Sequence, residues 1–291
     1  MLEVMNKNLK LLYLATLFIV SIAIYGYAGN RFIYPDIDVS VDNMKRTVQH
    51  LTDIYPPRNH FNTESLGNSA NYIIREFNKF GVEVEQQKFE VSGNTYKNVI
   101  ASVGPKSGLR IVVGAHYDVC EEQPGADDNA SAIAGMLEIA RFAKLHESEL
   151  PYRVDFIAYT LEEPPYFGTN KMGSYIHAKY LHESNINLRG MICLEMIGFY
   201  NDQKDSQKYP LPLMRLFYGS RGDFISVVSN YGSSSFSKQV SKHLKATSIK
   251  VKTLNAPTFF GGIDFSDHRN YWKFKYDAVM VTDTASYLNF Q

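Results

Sequence analysis

Five places in this 291-residue chain set a histidine or a carboxylate against an apolar run. IVVGA (111–115) leads into His116-Tyr117-Asp118, and DFIAYT (155–160) leads into Leu161-Glu162-Glu163. Gly125-Ala126-Asp127-Asp128-Asn129 stands directly before a helical stretch, Glu195 lies within MICLEMI (191–197), and Ser266-Asp267-His268 precedes the last apolar run. Converging, these groups would make an oxygen-rich site with two imidazoles. That ligand set suits zinc, with manganese or cobalt as alternatives.

Each residue also has an ordinary reading. An Asp before a helix is commonly an N-cap, which covers Asp128 taken alone. A Glu pair is usually solvated, but Glu162-Glu163 is followed by Pro164-Pro165 and sits in a constrained turn. Glu195 stands inside an apolar run, where a carboxylate must be paired or bind a cation. His50, His60, His146, His177, His182 and His243 lie in polar or helical contexts and read as surface or capping residues.

The elements that must position these groups are legible as runs. Strand-like segments are 82–91, 96–103, 109–115, 153–160, 191–197, 224–229, 248–254 and 278–283. Helical stretches are about 41–55, 62–80, 130–146, 171–182, 233–246 and 266–273. Early strands are joined by turns and later ones by helices. This order predicts an α/β domain with a mixed, mostly parallel sheet of about eight strands between helices. In such sheets the site collects at the C-terminal strand ends.

Composition narrows the function classes. Hydrophobic residues at 45% and aromatics at 13% exclude a mainly disordered chain. Thirty basic and thirty acidic residues give zero formal net charge, which argues against a nucleic-acid partner. Two cysteines cannot build a disulfide scaffold; Cys120 and Cys193 read as two buried residues, with a disulfide as the alternative.

Residues 11–28 read LLYLATLFIVSIAIYGYA, an uncharged run preceded by Lys7 and Lys10. At about 1.5 Å per residue it spans roughly 27 Å, close to a bilayer core. The expected organisation is a cytoplasmic segment 1–10, a transmembrane signal-anchor 11–28, a linker 29–40 and an extracytoplasmic catalytic domain 41–291. A cleaved signal peptide, ending at the small-x-small site Gly26-Tyr27-Ala28, is the rival reading and gives a secreted protein.

The ordered combination is more specific than any part. HxD, then GADDN, then EE, an acid inside an apolar strand, and SDH together resemble the double-zinc exopeptidase family of secreted bacterial leucyl aminopeptidases. Its relatives include glutamate carboxypeptidases, glutaminyl cyclases and the transferrin-receptor ectodomain. The resemblance covers roughly residues 41–291. GAHYD, PGADDNASAIAGMLEIAR, LEEPPYF, MGSYIHAKYL and DHRNYWKFKYDAVMVTDTA are similar to its bacterial membrane-anchored or periplasmic members.

The resemblance implies two zinc ions and peptide substrates with a free N-terminus. His116 would bind one ion and Asp128 would bridge both. Glu195 would complete the first, and Glu163 and His268 the second. Glu162 would be the general base, and Asp118 would hold the His116 ring in one tautomer. Two departures stand out: Glu195 occupies a position where many members have Asp, and members continue past the TDTA strand with a further His-containing loop. Here the sequence ends at Gln291. Glutaminyl cyclase is the alternative enzyme within the same fold, and a non-catalytic peptide-binding ectodomain is the alternative outside enzymes.

Overall fold

The computed structural model describes residues 39–209 and 214–283. The expected anchor 11–28 and most of the linker lie outside the described residues. Among those residues no helix is long and apolar enough to cross a membrane.

The chain opens on helix α1 (Val41–Thr52), capped by Ser40, whose Oγ accepts from the Asn43 amide at 3.2 Å. Its Met44, Thr47 and Leu51 are buried at helical spacing. Helix α2 (Thr63–Lys79) buries Leu66, Ala70, Ile73 and Phe77 on one stripe. Strands β1 (Val84–Val91), β2 (Asn94–Val103) and β3 (Arg110–His116) follow. A π-type turn over Ala126–Ser131 leads into α3 (Ala132–Leu145), then β4 (Arg153–Tyr159), α4 (Gly173–Glu183) and β5 (Leu188–Glu195). The last third holds α5 (Met214–Tyr218), β6 (Ile225–Asn230), α6 (Ser234–Leu244), β7 (Val251–Ala256), α7 (His268–Lys273) and β8 (Ala278–Thr282).

All eight predicted strands form, within a few residues of their expected limits, in one sheet ordered β1-β2-β4-β3-β5-β8-β6-β7. The β4–β3–β5–β8 core and the β6–β7 pair are parallel, while β1–β2, β2–β4 and β6–β8 are antiparallel. Strand alternation divides the core. Ile111, Val113 and Ala115 of β3 face a cluster shared with α1, α2, α3 and α6, whereas Val112 faces a second cluster with Ala178 and Leu181 of α4 and Tyr271 of α7. Both sheet faces are therefore covered, which explains why the central strands read as nearly continuous apolar runs.

Two expectations are corrected here. His177 is not a surface residue: it is buried, and its Nδ1 lies 2.7 Å from the Tyr271 hydroxyl, which is 2.6 Å from that of Tyr159. His243 is buried as well. The cysteines are both free, Cys193 buried and Cys120 half-buried.

Candidate metal centre and active site

β3 lies between β4 and β5, so the C-terminal ends of these three strands meet. His116 is the last residue of β3 and Glu195 the last of β5, with Glu162 three residues beyond β4. His116 Nε2 lies 3.2 Å from Asp128 Oδ1, 3.4 Å from Glu195 Oε2 and 3.9 Å from Glu162 Oε2. Two groups can each offer a cation three ligand atoms within 4.8 Å of one another: His116, Asp128 and Glu195, and His116, Glu162 and Glu163.

Local sequence explains how each side chain is aimed. His116 Nδ1 contacts the Asp118 carbonyl oxygen at 3.2 Å, leaving Nε2 toward the acids. The Asp118 carboxylate lies 3.5 Å from the same ring but has a second task. Its two oxygens accept from the Glu162 and Glu163 amides at 3.2 and 3.1 Å, so Asp118 holds the turn that carries both glutamates. Leu161 before Glu162 and Met196 after Glu195 both take positive φ, at 59° and 48°. That conformation is rare for such side chains and persists only where the surroundings enforce it.

Asp128 sits on a loop fixed from three directions. Asn129 donates to the Leu194 carbonyl at 3.1 Å and to Glu195 Oε2 at 3.3 Å, and accepts from the Met196 amide at 3.0 Å. Asp127 Oδ1 accepts from the Gly198 amide at 2.8 Å. Gly125 is required at the loop's start: its φ is 64°, and a Cβ there would strike Val119, the Asp128 carbonyl and the Arg58 guanidinium. Arg58 is itself buried and donates to the carbonyl oxygens of Leu51, Tyr117, Pro124 and Gly125 at 2.6–2.9 Å.

The electrostatics describe acids crowded around too little positive charge. Burial drives Glu162 well above the usual carboxylate range, opposed by His116. Burial and then Asp128 push Glu163 up to about 8, and burial raises Glu195. Burial alone would depress the His116 ring, but Glu195 and Glu162 hold it well above its ordinary value. Asp128 Oδ1 is buried without a hydrogen-bond partner. A divalent cation would satisfy that oxygen and reverse the carboxylate shifts, so this donor set of one imidazole and several carboxylates fits zinc.

Residues 98–290 match peptidase family M28. The chain belongs to that family. It is 42% identical over 261 residues to YfbL of Escherichia coli (strain K12), covering 87% of this chain and 79% of that protein. It is 34% identical over 110 residues to aminopeptidase YwaD of Bacillus subtilis (strain 168), covering 37% of this chain and 23% of that enzyme's length. Among solved structures, Porphyromonas gingivalis glutaminyl cyclase is similar in fold, with a TM-score of 0.62 at 20% identity over 85% of this chain and 84% of that one. Legionella LapA gives 0.66 at 18% identity over 87% and 64%. Membership of the M28 family supports a hydrolase.

The structure brings together His116, Asp128, Glu162, Glu163 and Glu195, with Asp118 beneath them. It does not bring His268 into either cation-capable group. As the first residue of α7, His268 stacks edge-on against Trp272 one turn later, and its Nε2 is 2.7 Å from the Ile263 carbonyl oxygen. Its neighbours in the SDH triplet are the ones tied to the site. Ser266 Oγ donates to Glu195 Oε2 at 2.6 Å. Asp267 is fully buried, and burial pushes its carboxyl up to about 7 against the pull of His116. Arg58 carries no signal beyond polarity in the sequence, and Asn129 and Ser266 stand inside the GADDN and SDH motifs without a role of their own, because the partners of the three lie 59, 66 and 71 positions away.

Proposed function

We propose that this chain is a zinc-dependent exopeptidase that removes N-terminal residues from peptides. The observation that carries the reading is His116 Nε2 standing within 3.9 Å of carboxylate oxygens of Asp128, Glu195 and Glu162 at the strand ends. His116, Asp128 and Glu195 would hold one zinc ion, and Glu163 with Asp128 would contribute to a second. Bound zinc supplies Lewis acidity that acidifies a water and polarises the scissile carbonyl. Glu162, buried beside these ligands and ionised once the cation's charge is present, would take a proton from the attacking water and deliver it to the leaving amine. Asp118 fixes the turn bearing that base through the two amides it accepts from. His268 Nε2 is held by the Ile263 carbonyl oxygen, so a role for this residue at a second ion would fall to its Nδ1, which is buried without a hydrogen-bond partner. We further propose that residues 11–28 anchor the chain with the domain outside the cytoplasm.

The deciding experiment is metal analysis of the purified chain with hydrolysis of aminoacyl anilides, before and after chelation and zinc return. A folded protein that holds no metal and gains no activity with zinc, cobalt or manganese would sink the reading. Release of ammonia from glutaminyl peptides without anilide cleavage would turn it to glutaminyl cyclase. Membrane partitioning of the 29–291 fragment would overturn a single anchor at 11–28.

A further inference from the structure

Beside the acids lies a cavity of about 110 Å³, bordered by Phe224, Leu254, Phe260, Phe265 and Met280. Its place in the fold ties it to the site. Thr282, which lines it, is the register partner of Glu195 across β5 and β8, and Phe265 immediately precedes Ser266, the residue bound to Glu195. The volume is in the size class of the roughly 150 Å³ apolar cavity that takes benzene, so one aromatic ring is its natural occupant.

The cavity is not purely apolar. Thr282 Oγ1, Tyr209 Oη and Gln207 Oε1 are each buried without a hydrogen-bond partner, and all three residues line it. Gln207 and Thr282 are both 95% buried or nearly so, at 5% relative exposure each. The Gln207 amide nitrogen donates to the Lys208 carbonyl at 2.8 Å, and its unpaired atom is the acceptor Oε1. Buried polar atoms are nearly always paired. Three unpaired buried atoms on residues that line one cavity are what remains when the missing partner belongs to a ligand. Two hydroxyls and a carbonyl call for a group that both donates and accepts, which a phenol does and a phenyl or isobutyl group does not.

We propose that this cavity receives the side chain of the substrate's N-terminal residue and selects a large apolar group with a hydrogen-bonding tip, tyrosine above phenylalanine and leucine, through Thr282, Tyr209 and Gln207. This rests on the aminopeptidase reading. A site built to hydrogen-bond a substrate hydroxyl discriminates strongly against the analogue lacking it, because its own buried groups are then left unpaired.

The test uses the full zinc-loaded chain with tyrosine, phenylalanine and leucine p-nitroanilides, and calorimetric binding of tyramine against phenethylamine. The kcat/KM for tyrosine should exceed that for phenylalanine by at least about 10-fold, with a parallel preference for tyramine. Thr282→Val and Tyr209→Phe, which delete only polar atoms at nearly constant shape, should each bring the ratio toward one. Equal or better cleavage of the phenylalanine or leucine substrate overturns this inference and leaves the peptidase reading standing. Tyramine preference without cleavage of any anilide keeps the cavity's chemistry and sinks the peptidase reading. An unchanged tyrosine preference in both variants removes these residues from the selection.

Discussion

The same central strands carry buried acid at both ends, and the two ends are neutralised differently. Near the start of β4, Asp155 is buried beneath Arg153 and Arg110, at 2.7 and 3.2 Å, and accepts from Ser102 Oγ at 2.6 Å. The fold supplies its own cations there. At the C-terminal ends, Glu162 and Glu195 are also buried, with Asp128 and Glu163 beside them, and among the described residues the basic group in contact with them is the His116 imidazole. Arg58, whose charge also acts on Asp128 and Glu163, spends its hydrogen bonds on four backbone carbonyls. A buried carboxylate without a counter-charge is unstable. Leaving several together makes sense only if positive charge arrives from outside.

That contrast can be broken most severely at the base. Glu162→Gln should lower kcat by at least about 10²–10⁴-fold with KM little changed and zinc retained, since only the proton acceptor is lost. Glu163→Gln should instead lower zinc occupancy, because a neutral amide is a poorer ligand. Metal analysis beside steady-state kinetics separates them; zinc loss in the first with full occupancy in the second would exchange the two roles.

Arg58 tests whether the ligand loop is held by shape or by charge. Its removal strands several buried carbonyl oxygens, so Arg58→Met should destabilise the chain by about 2–4 kcal/mol and weaken zinc binding. Arg58→Lys keeps the charge but not the planar fork. It should fail nearly as badly in denaturant midpoint and zinc affinity; full rescue by lysine would mean that only the charge matters.

Zinc itself should stabilise the protein by about 2.7 kcal/mol at a free concentration 100 times its Kd, read as a rise in Tm that a chelator reverses. The metal-free protein should also show an unusual pH slope. Asp127 titrates at about 6, raised chiefly by burial, and Glu163 at about 8, whereas unfolded carboxyls ionise near 4. Between those limits the native state binds more protons than the unfolded one, so stability falls as pH rises from about 4 to about 8. Zinc favours the ionised ligands and should flatten or invert that slope. A metal-free stability that rises through this window would contradict the crowding of acids.

The smallest effect belongs to the neutralised end. Arg153→Met should destabilise by about 1–2 kcal/mol, because Asp155 keeps Arg110 and Ser102, and should leave zinc affinity unchanged. Loss of zinc in this variant would mean that the two ends are coupled through the strands.

Much of the centre was legible in advance because its signal is local. An apolar run ending in His116, another leading to Glu162-Glu163 and a third closing on Glu195 each announce a strand delivering a polar group where it leaves the sheet. The reading was least complete at Ser266-Asp267-His268. The sequence marks the triplet, but whether serine, aspartate or histidine faces the acids depends on how α7 starts, and there His268 turns to Trp272 and Ile263 while Ser266 meets Glu195. Nothing local marks His177 as a core residue, because its partner Tyr271, and Tyr159 bonded to that, lie on other elements.

By itself, the sequence determined the eight strands, most of the helices and the strand ends at which chemistry could occur, because alternation, apolar runs and breakers are properties of neighbouring residues. Only the tertiary structure decided that β3 lies between β4 and β5, so that His116 Nε2 meets Asp128, Glu162 and Glu195 rather than three separate stretches of solvent. It also decided that Arg58 braces the ligand loop and that Thr282, Tyr209 and Gln207 share one cavity. These are contacts between positions tens of residues apart, set by strand order, register and side-chain direction, and no local pattern encodes them.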